Sequence, residues 1–395
     1  MVAKSGPLAG LRVLDLGTRI AAPFCAGLLG ELGADVIKIE EPGRGDFMRS
    51  IGPFEDGYSL FWAVEGRGRR SATLDLRLAE GQDALRRLAM TADVLVENFR
   101  PGTLEKWHLG PDEMPANMVI VRISQYGQDG PLMGRPGLDR MGIAFGGLLH
   151  ITGFPDQPPV RPGVTISDYL TGTFAAMSAL AVLRHRDSTG IGGVVDASLY
   201  GSIMRIMEWT FAAYDHLGTV RERSGNRVSN SAPVDNFRAA DGRFVCIVGG
   251  SDANFMRLMS AIGRPDLSLD PRFATLEQRA LHGEVINQIV AEWCGKLSSS
   301  EVEKRCVAEG VPVATVSTVA DIVNDPHVAY RSDLIHVIDP VIGKVLQQAP
   351  YPKVSVIDGS RVPDGAPLLG QHNDEVWLSV LSPDEYEQFR LKGVI

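Results

Sequence analysis

Two stretches, Arg12-Val-Leu-Asp-Leu16 and Asp35-Val-Ile-Lys-Ile-Glu40, decide the fold together with the span between them. Each is a short run rich in β-branched and aliphatic residues, the pattern of a strand buried on both faces. Between them Ala21 to Leu32 carries apolar residues at helical spacing and stops at Gly33. Strand, helix, strand within so few residues is a crossover unit, which places the two strands parallel in one sheet. The same alternation continues, with strands expected at Ser71–Leu76, Asp93–Phe99 and Met118–Ser124 and a helix over Ala79–Met90. The reading is therefore an α/β fold with a parallel sheet covered on both faces, whose ligands bind beyond the carboxyl ends of the strands.

Further along, a small-residue-rich helix is expected over Ser167–Arg186, then a strand at Val194–Leu199 and a helix from Tyr200. The polar segment Glu222–Asp235 reads as a linker. Beyond it a strand at Arg243–Val248 and helices at Asp252–Ile262, Val285–Leu297 and Ser300–Glu309 suit a smaller α+β domain. An extended region, Pro340–Ile357, leads into a tail containing Leu368-Leu-Gly370.

With 395 residues the chain is too long for one small core, and its 44% hydrophobic content is that of a globular protein. A net charge of −9 argues against general nucleic-acid binding. Cys25, Cys246, Cys294 and Cys306 are widely spaced, with no histidine at ligand spacing; they read as buried small side chains rather than as a metal site or a disulfide framework. Met1 to Gly10 lacks the apolar core of a signal peptide. No stretch approaches the roughly 18 uncharged apolar residues of a membrane span. Cytoplasmic residence without a membrane partner is the expectation.

The turn after the first strand, Gly17-Thr-Arg-Ile-Ala-Ala22, lacks the G-x-G-x-x-G of a nicotinamide dehydrogenase. Basic residues gather near strand ends: Arg67, Arg69 and Arg70 before one, Arg77 after it, and Arg100 and Lys106 after Asn98-Phe99. Phosphates and a stacked nucleotide ring suit such a surface, although a solvated face of ion pairs suits each residue taken singly. Asp168 falls at the start of a helix, where exposed N–H groups and the helix dipole favour the ionised carboxylate. It reads either as a helix cap or as a nucleophile for thioester exchange, a reaction in which a weak carboxylate succeeds. Gly249-Gly250 reads as a turn or a mobile lid.

Several segments in order, beginning at Leu8-Ala-Gly-Leu-Arg-Val-Leu-Asp-Leu16, carry a resemblance. They continue with Leu32-Gly-Ala-Asp-Val-Ile-Lys-Ile-Glu40, Asp93-Val-Leu-Val-Glu-Asn-Phe-Arg-Pro-Gly102, Gly163-Val-Thr-Ile-Ser-Asp168 and Ala366-Pro-Leu-Leu-Gly-Gln-His-Asn-Asp-Glu-Val376. The chain resembles the class III CoA-transferases, a family that includes formyl-CoA transferase, carnitine CoA-transferase and the α-methylacyl-CoA racemases. The resemblance implies a Rossmann-like large domain built from both chain ends (1–221 and 331–395), a linker and small domain over 222–330, and an interlocked homodimer. It implies Asp168 as the nucleophile, with an aspartyl-CoA thioester on the path. Coenzyme A thioesters are then substrates, and no permanently bound cofactor or metal is implied. The partners are an acyl-CoA and a free carboxylic acid.

Segments matching the family's coenzyme A contacts hold Ala21, Ala22, Leu74, Arg77, Asn98, Phe99, Arg100 and Lys106. On the substrate side the resemblance points to Asp139, with Arg140 after it, and to Gly249 and Gly250. Family racemases have Gly-His-Asp where this chain has Gly137-Leu138-Asp139, and leucine cannot shuttle a proton. Racemase or isomerase activity is thus the alternative, and a nicotinamide oxidoreductase the second. Formyl-CoA transferase has a histidine where this chain has Arg19, and a guanidinium suits a second carboxylate on the substrate. Contacts to coenzyme A phosphates, or pairing with Glu40 or Glu41, are the competing roles for Arg19.

Overall fold

The computed structural model describes residues 6–228, 230–357 and 362–395. Residues 1–5 of the leader reading and Ser229 of the linker reading lie outside the described residues. Two compact units divide the chain: Met1–Leu148, Pro162–Phe211 and Arg331–Ile395 form one, and Leu149–Arg161 and Ala212–Tyr330 the other.

The first unit is built on six strands: β1 (Arg12–Asp15), β2 (Asp35–Glu40), β3 (Arg70–Thr73), β4 (Val94–Glu97), β5 (Val119–Ser124) and β6 (Gly193–Ser198). They lie in the order β3-β2-β1-β4-β5-β6, and every neighbouring pair is parallel. Side chains alternate along each strand, so the register sorts them onto two faces. Val13 stands opposite Val36 and Val94, while Leu14 stands opposite Ile37 and Leu95. The valine face packs on α1 (Ala21–Glu31) through Ala22, Cys25 and Leu29 and on α4 (Ile166–Thr189) through Ala175, Ala179 and Leu183. The leucine and isoleucine face packs on α2 (Ala79–Ala89) and on Trp377, Tyr386 and Phe389 from the chain's end. This is why both ends of the chain belong to one unit. Helix α3 (Asp139–Phe145), between β5 and α4 in sequence, packs against α4.

Composition alone makes α4 long and apolar enough to cross a membrane, contrary to the sequence expectation. Its small residues instead allow close packing: a Cβ on Gly172 would lie 2.7 Å from the Ala21 carbonyl oxygen of α1. The third strand is also shorter than expected. After Thr73 the chain turns at Asp75, whose N–H donates to the Val394 carbonyl at 2.8 Å. Of the extended region only Gly343–Gln348 is a strand (β11), and it pairs antiparallel with β10 (Leu334–Asp339), which precedes that region.

The second unit holds an antiparallel sheet of β7 (Val234–Arg238), β8 (Phe244–Val248) and β9 (Val313–Thr315), in the order β9-β8-β7. Its core joins Val245 and Ile247 to Phe255, Leu258, Ile286, Val290, Cys294, Val302 and Cys306. The linker reading ends too late, since Val234 and Asp235 already pair in β7. Residues 149–161 and 212–221 group with this unit rather than the first. Arg223 donates to the His150 carbonyl at 2.7 Å, and Gly225 N–H to the Gly153 carbonyl at 2.9 Å. Cys25, Cys294 and Cys306 are buried. Cys246 is only half-buried, because alternation along β8 points Val245 and Ile247 to the core and Cys246 away.

Candidate active site

The strand order reverses between β1 and β4, and a cleft of about 690 Å³, open mouth included, lies at the carboxyl ends of the strands. Leu16, Gly17 and Thr18 line it from the turn after β1, Lys38 to Glu41 from β2, and Leu74 to Arg77 from β3. Phe99 and Trp107 close the wall after β4, ring edge to face at 5.3 Å. A volume of this order suits a nucleotide. Phe99 is held from behind: its N–H donates to Glu97 at 2.6 Å, and Glu97 accepts from the Arg122 guanidinium at 2.8 Å.

Buried ions fix the floor of the cleft. The Lys38 ammonium is fully buried, 2.9 Å from Asp46 and 3.4 Å from Asp15, and donates to the Gly17 carbonyl. Burial works against its charge, but Asp15 and Asp46 outweigh burial and raise the lysine above its ordinary value. Asp15 is also paired with Arg69 at 3.0 Å. Asn98 ties two turns together, accepting from Thr18 N–H and donating to the Thr18 carbonyl, both at 2.8 Å.

Asp168 is the third residue of α4. The cap reading fails, since Thr165 holds the N-cap position and Asp139 takes the first-turn N–H of Ser167 at 2.8 Å. Among the described residues nothing hydrogen-bonds the Asp168 carboxylate. The expected preference for the ionised form is reversed as well: burial, then the neighbouring Asp139 charge, push Asp168 up to about 7, with Arg19 pulling the other way. The next residue anchors the helix start. Tyr169 donates its hydroxyl to Glu65 at 2.9 Å and packs edge-on against Phe24 at 4.8 Å.

Arg19 does not pair with Glu40 or Glu41. Glu40 accepts from Arg49 and Ser71, and Glu41 lies 3.0 Å from Arg77. The exposed Arg19 guanidinium lies over the Phe47 ring, 4.3 Å from its centroid. Arg140, Arg100 and Lys106 are exposed, with no ion pair among the described residues. Arg77 lines the cleft but is engaged twice by Asp75 at 2.8 Å.

Other expected residues serve the scaffold. Ala21 and Ala22 are buried at the start of α1, and Leu74 is buried in the cleft wall. Arg67, Arg69 and Arg70 pair with Glu31, Asp15 and Asp35 as ion pairing expects, but Arg69 and Arg70 are buried rather than on a solvated face. Gly249 and Gly250, in the second unit, form a packed turn between β8 and the helix Asp252–Ala261. A Cβ on Gly249 would lie 2.7 Å from a Leu258 methyl, and the Gly250 carbonyl accepts from the buried Arg279. Sequence reading missed Lys38, Asp46, Phe47 and Trp107. A lysine inside an otherwise apolar strand was the available signal for the first.

The sequence profile of CoA-transferase family III matches residues 8–373. The chain belongs to that family. As a family III CoA-transferase it is 40% identical to the succinyl-CoA–D-citramalate CoA-transferase of Chloroflexus aurantiacus, with 98% of each chain covered. To the beta subunit of that organism's succinyl-CoA–L-malate CoA-transferase it is 41% identical, again over 98% of each. Among solved structures, the CAIB/BAIF family protein of Brucella suis superposes with a TM-score of 0.84 at 30% identity, covering 96% of this chain and all of that one. The enzyme class and the α/β fold with its parallel sheet are therefore those expected.

Proposed function

We propose that this CoA-transferase moves coenzyme A from succinyl-CoA to a dicarboxylate or hydroxy-dicarboxylate of the malate or citramalate kind, with Asp168 as the nucleophile. The observation that carries the reading is the pairing of Asp168, unengaged and half-buried, with an Arg19 guanidinium whose charge acts on it and which has no ion pair among the described residues. The relatives' substrates support the same choice. A guanidinium presents a planar fork to a carboxylate, so it selects a substrate with a second carboxylate distal to the reacting one.

The cycle uses the carboxylate twice. An Asp168 oxygen attacks the donor thioester carbonyl; the C–S bond breaks, coenzyme A leaves as the thiolate, and a mixed anhydride of succinate and Asp168 remains. The thiolate attacks the Asp168 carbonyl, releasing succinate and leaving an aspartyl-CoA thioester. The acceptor carboxylate attacks that thioester and expels the thiolate again. The thiolate then attacks the acceptor carbonyl, which forms the new acyl-CoA and frees Asp168. No proton is gained or lost, so the cycle needs no general base. This accords with Leu138, which cannot do what a racemase requires there. The cleft with Phe99, Trp107, Arg77, Arg100 and Lys106 is the proposed seat of the coenzyme A nucleotide, and Asp139 and Arg140 flank the acyl end. The strand order supports a Rossmann-like large domain completed by residues 331–395, and the interlocked homodimer belongs to the same reading.

The test is transfer itself. Succinyl-CoA is incubated with a panel of free acids and the products are resolved by mass. Malate or citramalate should become its CoA ester at least ten times faster than a monocarboxylate of similar length, and Asp168→Ala should abolish all transfer. An alanine variant with near-normal transfer removes the nucleophile from the scheme.

A further inference from the structure

The backbone at Arg19 is left-handed, with φ at +67°, an uncommon conformation for a side-chain-bearing residue that surrounding contacts must hold. Those contacts come from one segment. Asp46 Oδ1 accepts the Arg19 N–H at 3.1 Å and the Met48 N–H at 2.9 Å. Asp46 Oδ2 lies 2.9 Å from the buried Lys38 ammonium, and the Asp46 N–H donates to Glu40 at 2.9 Å. Burial pushes the Asp46 carboxyl up, but Lys38 and the Met48 N–H outweigh it and hold Asp46 below its ordinary value. Three residues beyond Asp46, Arg49 is fixed by Glu40 at 2.7 Å and lies over the Trp62 ring at 3.8 Å. Phe47, between these anchors, is 48% exposed, and its ring carries the Arg19 guanidinium. An aromatic ring in that place restricts the rotamers of a long side chain that would otherwise be disordered in solvent. Ordering it in advance removes a cost that binding would otherwise bear.

We propose that Phe47, seated on the Asp46–Lys38 ion pair, is a positioning residue that holds the Arg19 guanidinium ready for the distal carboxylate of the acceptor and so sets the preference for dicarboxylates. Phe47 touches no reacting atom; it acts through Arg19. The proposal rests on the assignment of Arg19 made above.

The experiment compares kcat and KM on malate and on butyrate, with succinyl-CoA as donor, for wild type, Phe47→Leu, Phe47→Tyr and Arg19→Ala. Phe47→Leu should raise KM for malate about two- to fivefold, the value of one exposed cation–π contact, with kcat and the butyrate parameters unchanged. Phe47→Tyr, which keeps the ring, should restore the wild-type KM. Asp46→Asn tests the seat beneath, and if it does not fold the two Phe47 variants decide alone. An unchanged malate KM in Phe47→Leu, or equal losses on both acids, overturns the proposal. A selective loss in Arg19→Ala beside a silent Phe47→Leu overturns the positioning role while Arg19 keeps its assignment. Equal losses on both acids in Arg19→Ala overturn the two together.

Discussion

At Asp168 two opposing effects meet, and their balance sets the ionisation of the carboxyl. Burial and Asp139 push the carboxyl up to about 7, while Arg19 pulls it down. In the proposed cycle Asp168 attacks in its ionised form, so kcat/KM should fall on the acid side with a limb near 7 and level off above it. Asp139→Asn removes a neighbouring negative charge yet keeps an acceptor for the Ser167 N–H. The acid limb should therefore move to lower pH in that variant and to higher pH in Arg19→Ala. A limb that stays in place in both variants would mean that it reports another group. The sequence indicated the position of Asp168 on its helix and the charge of Arg19. It gave the wrong direction for the ionisation, because the helix start favours the anion only where its N–H groups remain available and the site stays wet.

Two elements carry the site and show how the scaffold is fastened. Helix α4 brings Asp168 into place by lying against α1, and the approach passes through Gly172, where any side chain would meet the Ala21 carbonyl at 2.7 Å. Gly172→Val should destabilise the protein by about 1–3 kcal/mol, read as a lower midpoint in urea, because a backbone oxygen cannot move aside as a flexible side chain does. The chain's end fastens the outer strand β3. His372 Nδ1 accepts the Ser71 N–H at 3.1 Å, and Asn373 both accepts from Thr73 N–H at 2.7 Å and donates to the Thr73 hydroxyl at 2.8 Å. These contacts cover an edge that would otherwise pair with other chains. Burial depresses the His372 pKa, with Glu375 opposing. The folded state thus favours the neutral ring: stability is fully present above the ordinary imidazole value of about 6.5 and is lost as pH falls toward the lower folded value. Thermal melts from pH 7.5 to 5 should show a steeper decline for the wild type than for His372→Gln. Parallel slopes would remove the histidine from the latch.

For the whole molecule, the proposed interlocked homodimer has a direct readout. Sedimentation over a hundredfold dilution should give one dimeric species under native conditions, since linked rings separate only by unfolding. A stable, active monomer would sink that part of the reading. The exposed apolar side chains Met177, Met204, Ile206, Trp209 and Phe211 of the first unit give a partner chain something to cover.

The sequence by itself determined the parallel sheet and the order of its strands and helices, because buried β-branched runs alternating with helical spacing are local patterns that survive being read along one line, and its ordered motifs from Leu8–Leu16 to Ala366–Val376 carried the resemblance to the family. It also singled out Asp168, Phe99 and Arg19. Tertiary structure alone decided which charges are spent on the scaffold. Arg69 and Lys38 go to Asp15 and Asp46, and Arg70 to Asp35, whereas Arg19 has no carboxylate partner among the described residues, and no spacing rule distinguishes these arginines. It alone set Phe47 beneath Arg19, a pairing of residues 28 apart whose geometry comes from a buried ion pair. Charges acquire their roles from the partners that folding brings within hydrogen-bonding distance, and those distances exist only after the strands have taken their order.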